Sequence, residues 1–562
     1  MSRFKKWGKR LLYFLIIIII GLLVLDWWLN LTPPKVEDTS AWELERTQVD
    51  SNYYTLGENW LRKNKAGLWE AYVTGAPFER GAILGNLAQE LIVQQEVYFV
   101  RQIKQLVNSD AFLYVLRYLV GFFNRNLPEY IPLEYQQEIY GETAFYSDEF
   151  TAIGSNYERA LNYHAAHDIG HALSDYAIVG CTSFATWDSS SANNQLLIGR
   201  NFDFYVGEDF AKDKMVLFMQ PDSGYGFASV TWGGFLGVVS GMNEKGLTVT
   251  LNAAKSGLPS AAKTPISIVA RQILQYAKNI EEAFAIAQQY ETFVSESLLI
   301  GSAEDGYAAI IEKSVDKLAL YQAPNHQLVC SNHYQSDSFA LDADNIYNIE
   351  HSASNYRQLR TQTLLNQYGP LDYQEAAAIL RDTRGHNNKD IGLGNEKALN
   401  QLQGHHAVIF KPQERLIWVS TAPYQLGPFL AYDLKAIFGR TSLPQADQYI
   451  DSLTIAADSL ASTTAFAHYV QFRALKQQVL TWTKNQQPYS QEQAQQAAQL
   501  VVLNPNYYHA HALLGAYYKA KGHCEKAVVA YEAALELEIA TKEEEQAILE
   551  QLYACKQQLP TQ

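Results

Sequence analysis

Alternating apolar and polar positions indicate strands in the middle of the chain. The segments FATW (184–187) and LLIGRNFDF (196–204) alternate, and a cluster of serine and asparagine residues separates them. This pattern is typical of an antiparallel hairpin. With the turn centred near Ala192, the pairing places Cys181 opposite Phe202, to within about two residues.

Later segments extend the same pattern. A turn at residues 243–246 separates two apolar, β-branched runs, the second of which ends at Asn252. Residues 405–424 read as a closing hairpin. Residues 265–290, which lie between these two hairpins, differ: their apolar positions recur at helical spacing. Arg271 lies in that helical region and is expected to be structural.

The N-terminus shows a different pattern. Five basic side chains precede an apolar run over residues 11–25, and Trp27 and Trp28 follow it. We expect a transmembrane signal anchor over residues 11–31, with residues 1–10 in the cytoplasm. The rest of the chain is then extracytoplasmic, or periplasmic in a Gram-negative bacterium. A cleaved signal peptide is the alternative, although no small-x-small cleavage site follows closely.

Composition and patterning divide the remaining chain into four parts. Residues 32–59 read as a polar tether, and residues 60–180 as a mainly helical segment. Residues 181–440 hold the predicted strands. Residues 447–562 are helical, with residues at tetratricopeptide offsets: Leu514, Gly515, Tyr518, Gly522, Ala527, Tyr531 and Ala534. Such a tail serves as a surface for a protein partner, or it buttresses the preceding domain.

The overall composition excludes some functions. The chain has 562 residues, and its 59 acidic side chains outnumber the 44 basic ones. Nothing suggests a nucleic-acid-binding surface, which would need clustered positive charge. The four cysteines are widely spaced, which argues against a zinc site or a disulfide scaffold. Whether Cys524 and Cys555 pair in the tail is left open by the sequence.

The hairpin brings a chemically reactive set of residues together. A guanidinium lowers a thiol pKa, so Arg200 is expected to activate Cys181, while Asp203 orients a proton-carrying group. Gly180 leaves the peptide before the cysteine open to close approach. These features suit a cysteine that cleaves the Gly180–Cys181 bond and then uses its own α-amine, with a pKa near 8, as general base.

Four motifs carry a family resemblance: GCTSFA, GRNFDF, TLNA and SNHY. Together they resemble the N-terminal-nucleophile (Ntn) cysteine amidases related to acyl-coenzyme A:6-aminopenicillanic acid acyltransferase, and more distantly the choloylglycine hydrolases. The resemblance covers about residues 78–424. It implies self-cleavage before the cysteine, an α+β fold with a four-layer αββα sandwich, and action on non-peptide or side-chain amides.

The resemblance also implies further site residues. Asn252 and Asn332 match oxyanion donors of the family, and each follows an apolar, strand-like run. Arg357 matches an arginine that completes the pocket in the choloylglycine relatives, and Arg360 is the competing assignment. The GHH sequence at residues 404–406 departs from the acyltransferase pattern, which leaves the identity of the substrate open.

A histidine cluster supports a different hypothesis. His164, His167, Asp168 and His171 lie three or four positions apart, hence on one face of a helix. One interpretation is a metal site of an HD-type phosphohydrolase. That site needs a second set of ligands, and none stands out. A polar helix leading into the cleavage site is the favoured interpretation.

The sequence therefore predicts a membrane-anchored, self-processing cysteine hydrolase or acyltransferase with a tetratricopeptide-like tail. Its substrate is a small acyl amide or thioester, its intermediate is a thioester on Cys181, and it requires no metal or organic cofactor. The alternative is a non-catalytic scaffold that presents the tail helices to a partner. Failure to self-cleave would favour the scaffold.

Overall fold

A computed structural model of the chain describes residues 2–107, 110–173, 180–204, 207, 209–255, 261–484 and 489–559. Strands occupy much of its first 433 residues. They are β1 (Thr47–Asp50), β2 (Tyr53–Leu56), β3 (Asn59–Lys63), β4 (Trp69–Gly75), β5 (Thr182–Thr186), β6 (Leu197–Phe202), β7 (Met215–Pro221), β8 (Phe227–Thr231), β9 (Ser240–Asn243), β10 (Leu247–Ala253), β11 (Glu296–Ser302), β12 (Ala308–Lys313), β13 (Leu318–Tyr321), β14 (Gln327–Cys330), β15 (His406–Lys411), β16 (Leu416–Ser420) and β17 (Phe429–Asp433).

These strands form two sheets. The larger sheet has the order β1-β2-β3-β4-β7-β8-β9-β10-β11-β12-β13, and the smaller one has the order β14-β5-β6-β15-β16-β17. Neighbouring strands are antiparallel, except that β4 pairs in parallel with β7. The predicted hairpins β5–β6, β9–β10 and β15–β16 are all confirmed.

The α-helices lie before, between and after the strands. They are α1 (Ser2–Leu29), α2 (Pro77–Leu87), α3 (Gln89–Val107), α4 (Asp110–Asn124), α5 (Leu133–Glu142), α6 (Asn156–Leu173), α7 (Ile266–Tyr276), α8 (Ile280–Gln289), α9 (Ala343–His351), α10 (Ser354–Tyr368), α11 (Tyr373–Leu380), α12 (Leu434–Phe438), α13 (Thr464–Lys484), α14 (Gln491–Leu503), α15 (Tyr508–Ala520), α16 (Cys524–Leu535) and α17 (Lys542–Gln558).

The two sheets pack face to face, and helices cover both outer faces. Phe218 and Leu299 of the larger sheet meet Ile198 and Val408 of the smaller sheet in one buried cluster. Helices α7 and α8 cover the other face of the larger sheet, and α10 and α11 cover that of the smaller one. The αββα sandwich expected from the resemblance is present in the structure.

The prediction of a helical segment from residue 60 is wrong at its start. Residues 59–75 form β3 and β4, which extend the larger sheet. Asn64 shapes the turn between them, because its side-chain oxygen accepts hydrogen bonds from the backbone N–H groups of Ala66 and Leu68. Pairing with β7 supplies a non-local stabilisation that local helical spacing does not reveal.

The predicted transmembrane anchor over residues 11–31 is also wrong. Across the described residues, no helix has both the length and the apolar composition needed to span a bilayer. In α1 the apolar run between Arg10 and Asp26 is only about 22 Å long, against a hydrocarbon core of about 30 Å. Asp26 forms an ion pair of 2.9 Å with Arg117 in α4. The extracytoplasmic location and the membrane contact expected from this anchor are likewise not supported.

The C-terminal helices pack on one another and on the sandwich. Helices α13 to α17 contact each other in chain order, and their buried side chains share one cluster with Leu402 and Leu426. A Cβ atom on Gly515 would lie 2.7 Å from the Tyr531 ring, so a small residue is needed where α15 meets α16. The assignment of these helices as tetratricopeptide repeats stays a prediction.

The packing between the sheets predicts a clear difference between two leucines. Leu299 is fully buried in β11, whereas Leu341 is 93% exposed. Leu299→Ala is expected to lower the free energy of unfolding by about 2–5 kcal/mol, because it leaves a cavity in the core. Leu341→Ala is the matched control and should change it by less than about 0.5 kcal/mol. Urea unfolding measures both, and equal effects would contradict the packing described here.

Candidate active site

Cys181 lies immediately before β5, at one end of the smaller sheet. Thr182 pairs with Asn201, which places Cys181 opposite Phe202, as the hairpin pattern predicts. The Gly180 N–H donates a 3.0 Å hydrogen bond to the carbonyl of Asp203. The Cys181 side chain is buried, with 1% of the residue exposed. The thiol is therefore held inside the fold.

Arg200 contacts this thiol from the next strand. Its Nη2 atom lies 3.8 Å from Cys181 Sγ. The guanidinium also donates hydrogen bonds to Ser240 Oγ and to the Leu251 carbonyl. Its carbon lies 4.3 Å from the centre of the Phe202 ring, a cation–π contact. Arg200 thus links the smaller sheet to β9 and β10 of the larger sheet beside Cys181.

The structure corrects the expected charge state of the thiol. Burial raises the pKa of Cys181 to about 11, and the positive charge of Arg200 only partly opposes this rise. Burial disfavours the thiolate because the charged form loses its hydration. With a pKa of about 11, the Cys181 thiol keeps its proton at neutral pH.

Asp203 is buried beside the same peptide bond. Among the described residues, neither of its carboxyl oxygens has a hydrogen-bond partner. Burial raises its pKa to about 7, although Arg357 and Arg200 favour the charged form. A Cβ atom on Gly404 would lie 2.5 Å from Asp203 Oδ1, so the glycine leaves room for the carboxyl group. A buried acceptor of this kind is suited to a cationic partner.

Asn252 and Asn332 each donate a side-chain hydrogen bond to a backbone carbonyl. Asn252 Nδ2 donates a 3.0 Å hydrogen bond to Cys330 O, and its Oδ1 accepts one of 2.7 Å from Ser183. Asn332 Nδ2 donates to Ala253 O at 2.9 Å. An amide nitrogen carries two N–H groups, and these hydrogen bonds occupy one on each asparagine.

The structure distinguishes between the two candidate arginines. Arg357 donates from Nε to Thr182 Oγ1 at 3.3 Å and from Nη2 to Asn332 Oδ1 at 2.5 Å. Burial lowers its pKa to about 10, while Asp203 and Cys181 favour its charge. Arg360 instead forms a two-bond ion pair with Asp382, at 2.9 and 3.0 Å. Of the two arginines, only Arg357 therefore contacts Thr182 and Asn332 beside Cys181.

Sequence reasoning missed a polar chain that continues from Arg200. Ser240 Oγ shares a 2.8 Å hydrogen bond with His406 Nε2, and His406 Nδ1 shares another of 2.8 Å with His405 Nδ1. Two facing ring nitrogens need one donor and one acceptor, so at least one imidazole is neutral. Burial lowers the pKa of both histidines well below the ordinary value. No sequence motif marks Ser240, which reads as an ordinary strand residue.

Two members of the histidine cluster, His164 and Asp168, form hydrogen bonds within the protein. His164 Nδ1 lies 2.8 Å from the Ala160 carbonyl, and Nε2 accepts a 2.9 Å hydrogen bond from Leu236 N–H. Asp168 accepts from Ile266 N–H at 2.8 Å. The His167 and His171 side chains lie outside the described part. Within that part, no three His, Cys, Asp or Glu side chains are grouped as metal ligands.

Residues 190–422 match the model of the acyl-coenzyme A:6-aminopenicillanic acid acyltransferase family. The match supports the resemblance to Ntn enzymes drawn from the sequence. It includes Arg200, Asp203, Asn252, Asn332 and Arg357 but begins after Cys181. The tail helices lie beyond it.

Individual relatives are distant. An uncharacterized protein of Archaeoglobus fulgidus is 23% identical over 349 residues, which cover 56% of this chain and 58% of that protein. This chain therefore spans less than two thirds of that relative. The protein dcd1B of Dictyostelium discoideum is 21% identical over 380 residues, which cover 63% of this chain and 71% of dcd1B.

Two solved structures show weak similarity. One is a Caenorhabditis elegans orthologue of N-acylethanolamine-hydrolyzing acid amidase, with 18% identity, a TM-score of 0.30, and coverage of 42% of this chain and 93% of that one. The other is a mutant of the conjugated bile acid hydrolase from Clostridium perfringens, with 14% identity, a TM-score of 0.31, and coverage of 46% and 93%.

The buried Asp203 carboxyl predicts a pH-dependent stability. Its folded-state pKa of about 7 exceeds the ordinary 3.8, so its contribution to stability falls as pH rises from about 4 to about 7. We therefore compare Asp203→Asn in an uncleaved Cys181→Ala background at two pH values. The change that it causes in the free energy of unfolding should be more stabilising at pH 8 than at pH 4, by at most about 4 kcal/mol. Urea unfolding at both pH values measures this difference.

The matched control is Asp316→Asn, which changes an exposed carboxylate. It should shift the unfolding free energy equally at the two pH values. An Asp203→Asn effect that is also independent of pH would contradict a buried, unpaired carboxyl at this position.

Proposed function

We propose that this protein is a self-processing N-terminal cysteine hydrolase or acyltransferase that acts on an N-acyl amide. The observation that carries the proposal is the buried carboxyl group of Asp203, which has no hydrogen-bond partner among the described residues and whose backbone carbonyl accepts the Gly180 N–H. Cleavage of the Gly180–Cys181 peptide would create an α-ammonium group close to this carboxylate. Arg200 Nη2 lies 3.8 Å from the thiol sulfur of Cys181.

Self-cleavage uses atoms already in place. The sulfur of Cys181 attacks the Gly180 carbonyl carbon, the C–N bond breaks, and the thiol proton passes to the departing amine. This gives a thioester between Gly180 and Cys181. Water then hydrolyses the thioester, which leaves a Gly180 carboxylate, a free thiol and the α-amine of Cys181.

Turnover uses the new α-amine. An amine with a pKa near 8 is well matched to accept the thiol proton at neutral pH. Asp203 holds this amine in place, and the thiolate of Cys181 attacks the substrate carbonyl. The second N–H group of each amide, Asn252 and Asn332, donates to no acceptor among the described residues and stabilises the oxyanion. Loss of the amine product leaves an acyl thioester, which water hydrolyses or an acceptor amine aminolyses.

The family match supports an enzyme that acts on amide bonds. A small acyl amide, or a thioester as acyl donor, is the substrate class that this chemistry accepts. The sandwich, the buried thiol and the network of arginines and asparagines all serve that reaction. A non-catalytic scaffold has no use for this set of buried polar groups, each of which is unfavourable to bury.

The first test is the covalent state of the purified protein. Intact mass and a denaturing gel should show two fragments divided between Gly180 and Cys181, and Cys181→Ala should remain one chain. Cys330→Ala is the matched control, because Cys330 is also a buried, free thiol at the end of a neighbouring strand. It should cleave like the parent. A single chain in the parent would favour the scaffold.

The second test is turnover by the cleaved protein. A panel of N-acyl amides that differ in acyl length and amine should release free amine only with the cleaved parent. Removing one oxyanion donor, in Asn252→Ala or Asn332→Ala, should lower kcat by about 10²–10³-fold. Hydroxylamine should trap the acyl group as a hydroxamate. Release of amine by Cys181→Ala at the parent rate would contradict the nucleophile.

A further inference from the structure

The carbonyl oxygen of Gly180 has a side-chain donor that the proposed reaction does not yet use. Gln401 Nε2 donates a 2.9 Å hydrogen bond to this oxygen. Gln401 is buried, with 2% of the residue exposed. The Gly180 carbonyl oxygen is the atom that would gain negative charge when Cys181 attacks. A fixed, water-excluded N–H donor at that atom has the geometry of an oxyanion donor.

The position of this amide is defined on both sides. Gln403 Nε2 donates a 2.8 Å hydrogen bond to Gln401 Oε1, which fixes the orientation of the amide. On the other side, a Cβ atom on Gly180 would lie 2.1 Å from Gln401 Nε2. Any side chain at position 180 would therefore displace the donor. This contact gives a physical reason for a glycine before the cysteine.

The C-terminal helices hold the backbone directly after Gln401. Leu402 has a φ of 52°, in the left-handed region that a leucine rarely occupies. Its carbonyl accepts hydrogen bonds from Tyr469 OH at 3.1 Å and from Arg473 Nη1 at 2.8 Å. Both donors lie on α13, the first helix of the tail. The Leu402 side chain is fully buried among the tail residues.

The same segment also connects the tail with Arg357. The backbone carbonyl of Glu396 accepts a 3.0 Å hydrogen bond from Arg357 Nη1. The Glu396 carboxyl group accepts hydrogen bonds from Tyr507 OH at 2.9 Å and from Tyr508 OH at 3.5 Å, at the start of α15. Residues 396–402 thus form hydrogen bonds with the tail and also with two residues of the site, Arg357 and Gly180.

From this arrangement we propose that Gln401 is a catalytic residue of self-cleavage and that the tail helices position it. The amide N–H stabilises the negative charge on the Gly180 oxygen while the sulfur–carbon bond forms and the carbon–nitrogen bond breaks. Tyr469 and Arg473 are positioning residues, since they act through the Leu402 backbone. The tail is therefore part of the processing machinery. This inference rests on the proposed self-cleavage at Gly180–Cys181.

The test compares cleavage rates of full-length variants. Gln401→Met keeps the length of the side chain without a donor, and Gln401→Glu also places negative charge near the carbonyl oxygen. Both are expected to slow cleavage by about 10²–10³-fold, measured by intact mass against time after synthesis. Gln551→Glu, an exposed change of the same chemistry in α17, is the matched control and should cleave at the parent rate.

Two further variants separate a role in cleavage from a role in folding. Gly180→Ala, which displaces the Gln401 amide, should slow cleavage even if the Gln401 variants fail to fold. Arg473→Met should slow it as well, and Arg473→Lys, which retains a cationic donor, should cleave faster than Arg473→Met at equal thermal stability. Equal rates for these two variants would contradict the positioning role.

The outcomes distinguish this inference from the proposed function. If the parent cleaves and folded Gln401→Met cleaves at the same rate, Gln401 is not an oxyanion donor, while the cysteine mechanism stands. If the parent remains uncut under all conditions, both the self-cleavage and the role of Gln401 are wrong. Slow cleavage of Gln401→Met beside a fast Gln551→Glu control supports the inference.

Discussion

Burying a guanidinium is strongly unfavourable unless its N–H groups find acceptors, and Arg200 is fully buried where the two sheets meet. Its acceptors, Ser240 Oγ and Leu251 O, belong to the larger sheet, whereas Arg200 itself lies in the smaller one. These hydrogen bonds from its Nη1 and Nη2 atoms therefore link the two sheets beside Cys181. Ser183 with Asn252, and Ser240 with His406, add further hydrogen bonds between the sheets at the same place.

The electrostatics around Cys181 are those we expect of a precursor in the proposed cleavage. Burial leaves Cys181 as a neutral thiol and raises the pKa of Asp203 to about 7. A new α-amine at Cys181 would give the Asp203 carboxyl a hydrogen-bond donor and would supply the base that the thiol lacks. On this account the precursor is arranged for cleavage, with Gln401 held against the Gly180 carbonyl by the tail, and the product is arranged for turnover.

The local sequence pattern predicts part of the fold and of the candidate site. Alternation in residues 184–204 predicts the hairpin and the pairing of Cys181 with Phe202, because strand periodicity is a local property. It does not predict that residues 59–75 join a sheet through β7, or that α1 fails the length required of a membrane span. The expected lowering of the Cys181 pKa by Arg200 is wrong, because burial raises this pKa by more than Arg200 lowers it. Burial is a property of the whole fold and cannot be read from the local sequence. Gln401 carries no motif, and its hydrogen bond to Gly180 joins residues 221 positions apart, which no local pattern reveals.

The central claim is that Cys181 becomes an N-terminal nucleophile held by Asp203. The most direct test is a crystal structure of the purified parent protein at a resolution that shows the main chain at residues 180–181. The account predicts a break between Gly180 and Cys181, with the α-nitrogen of Cys181 within roughly 3 Å of an Asp203 carboxyl oxygen. A continuous chain there, or a free amine turned away from Asp203, would contradict it.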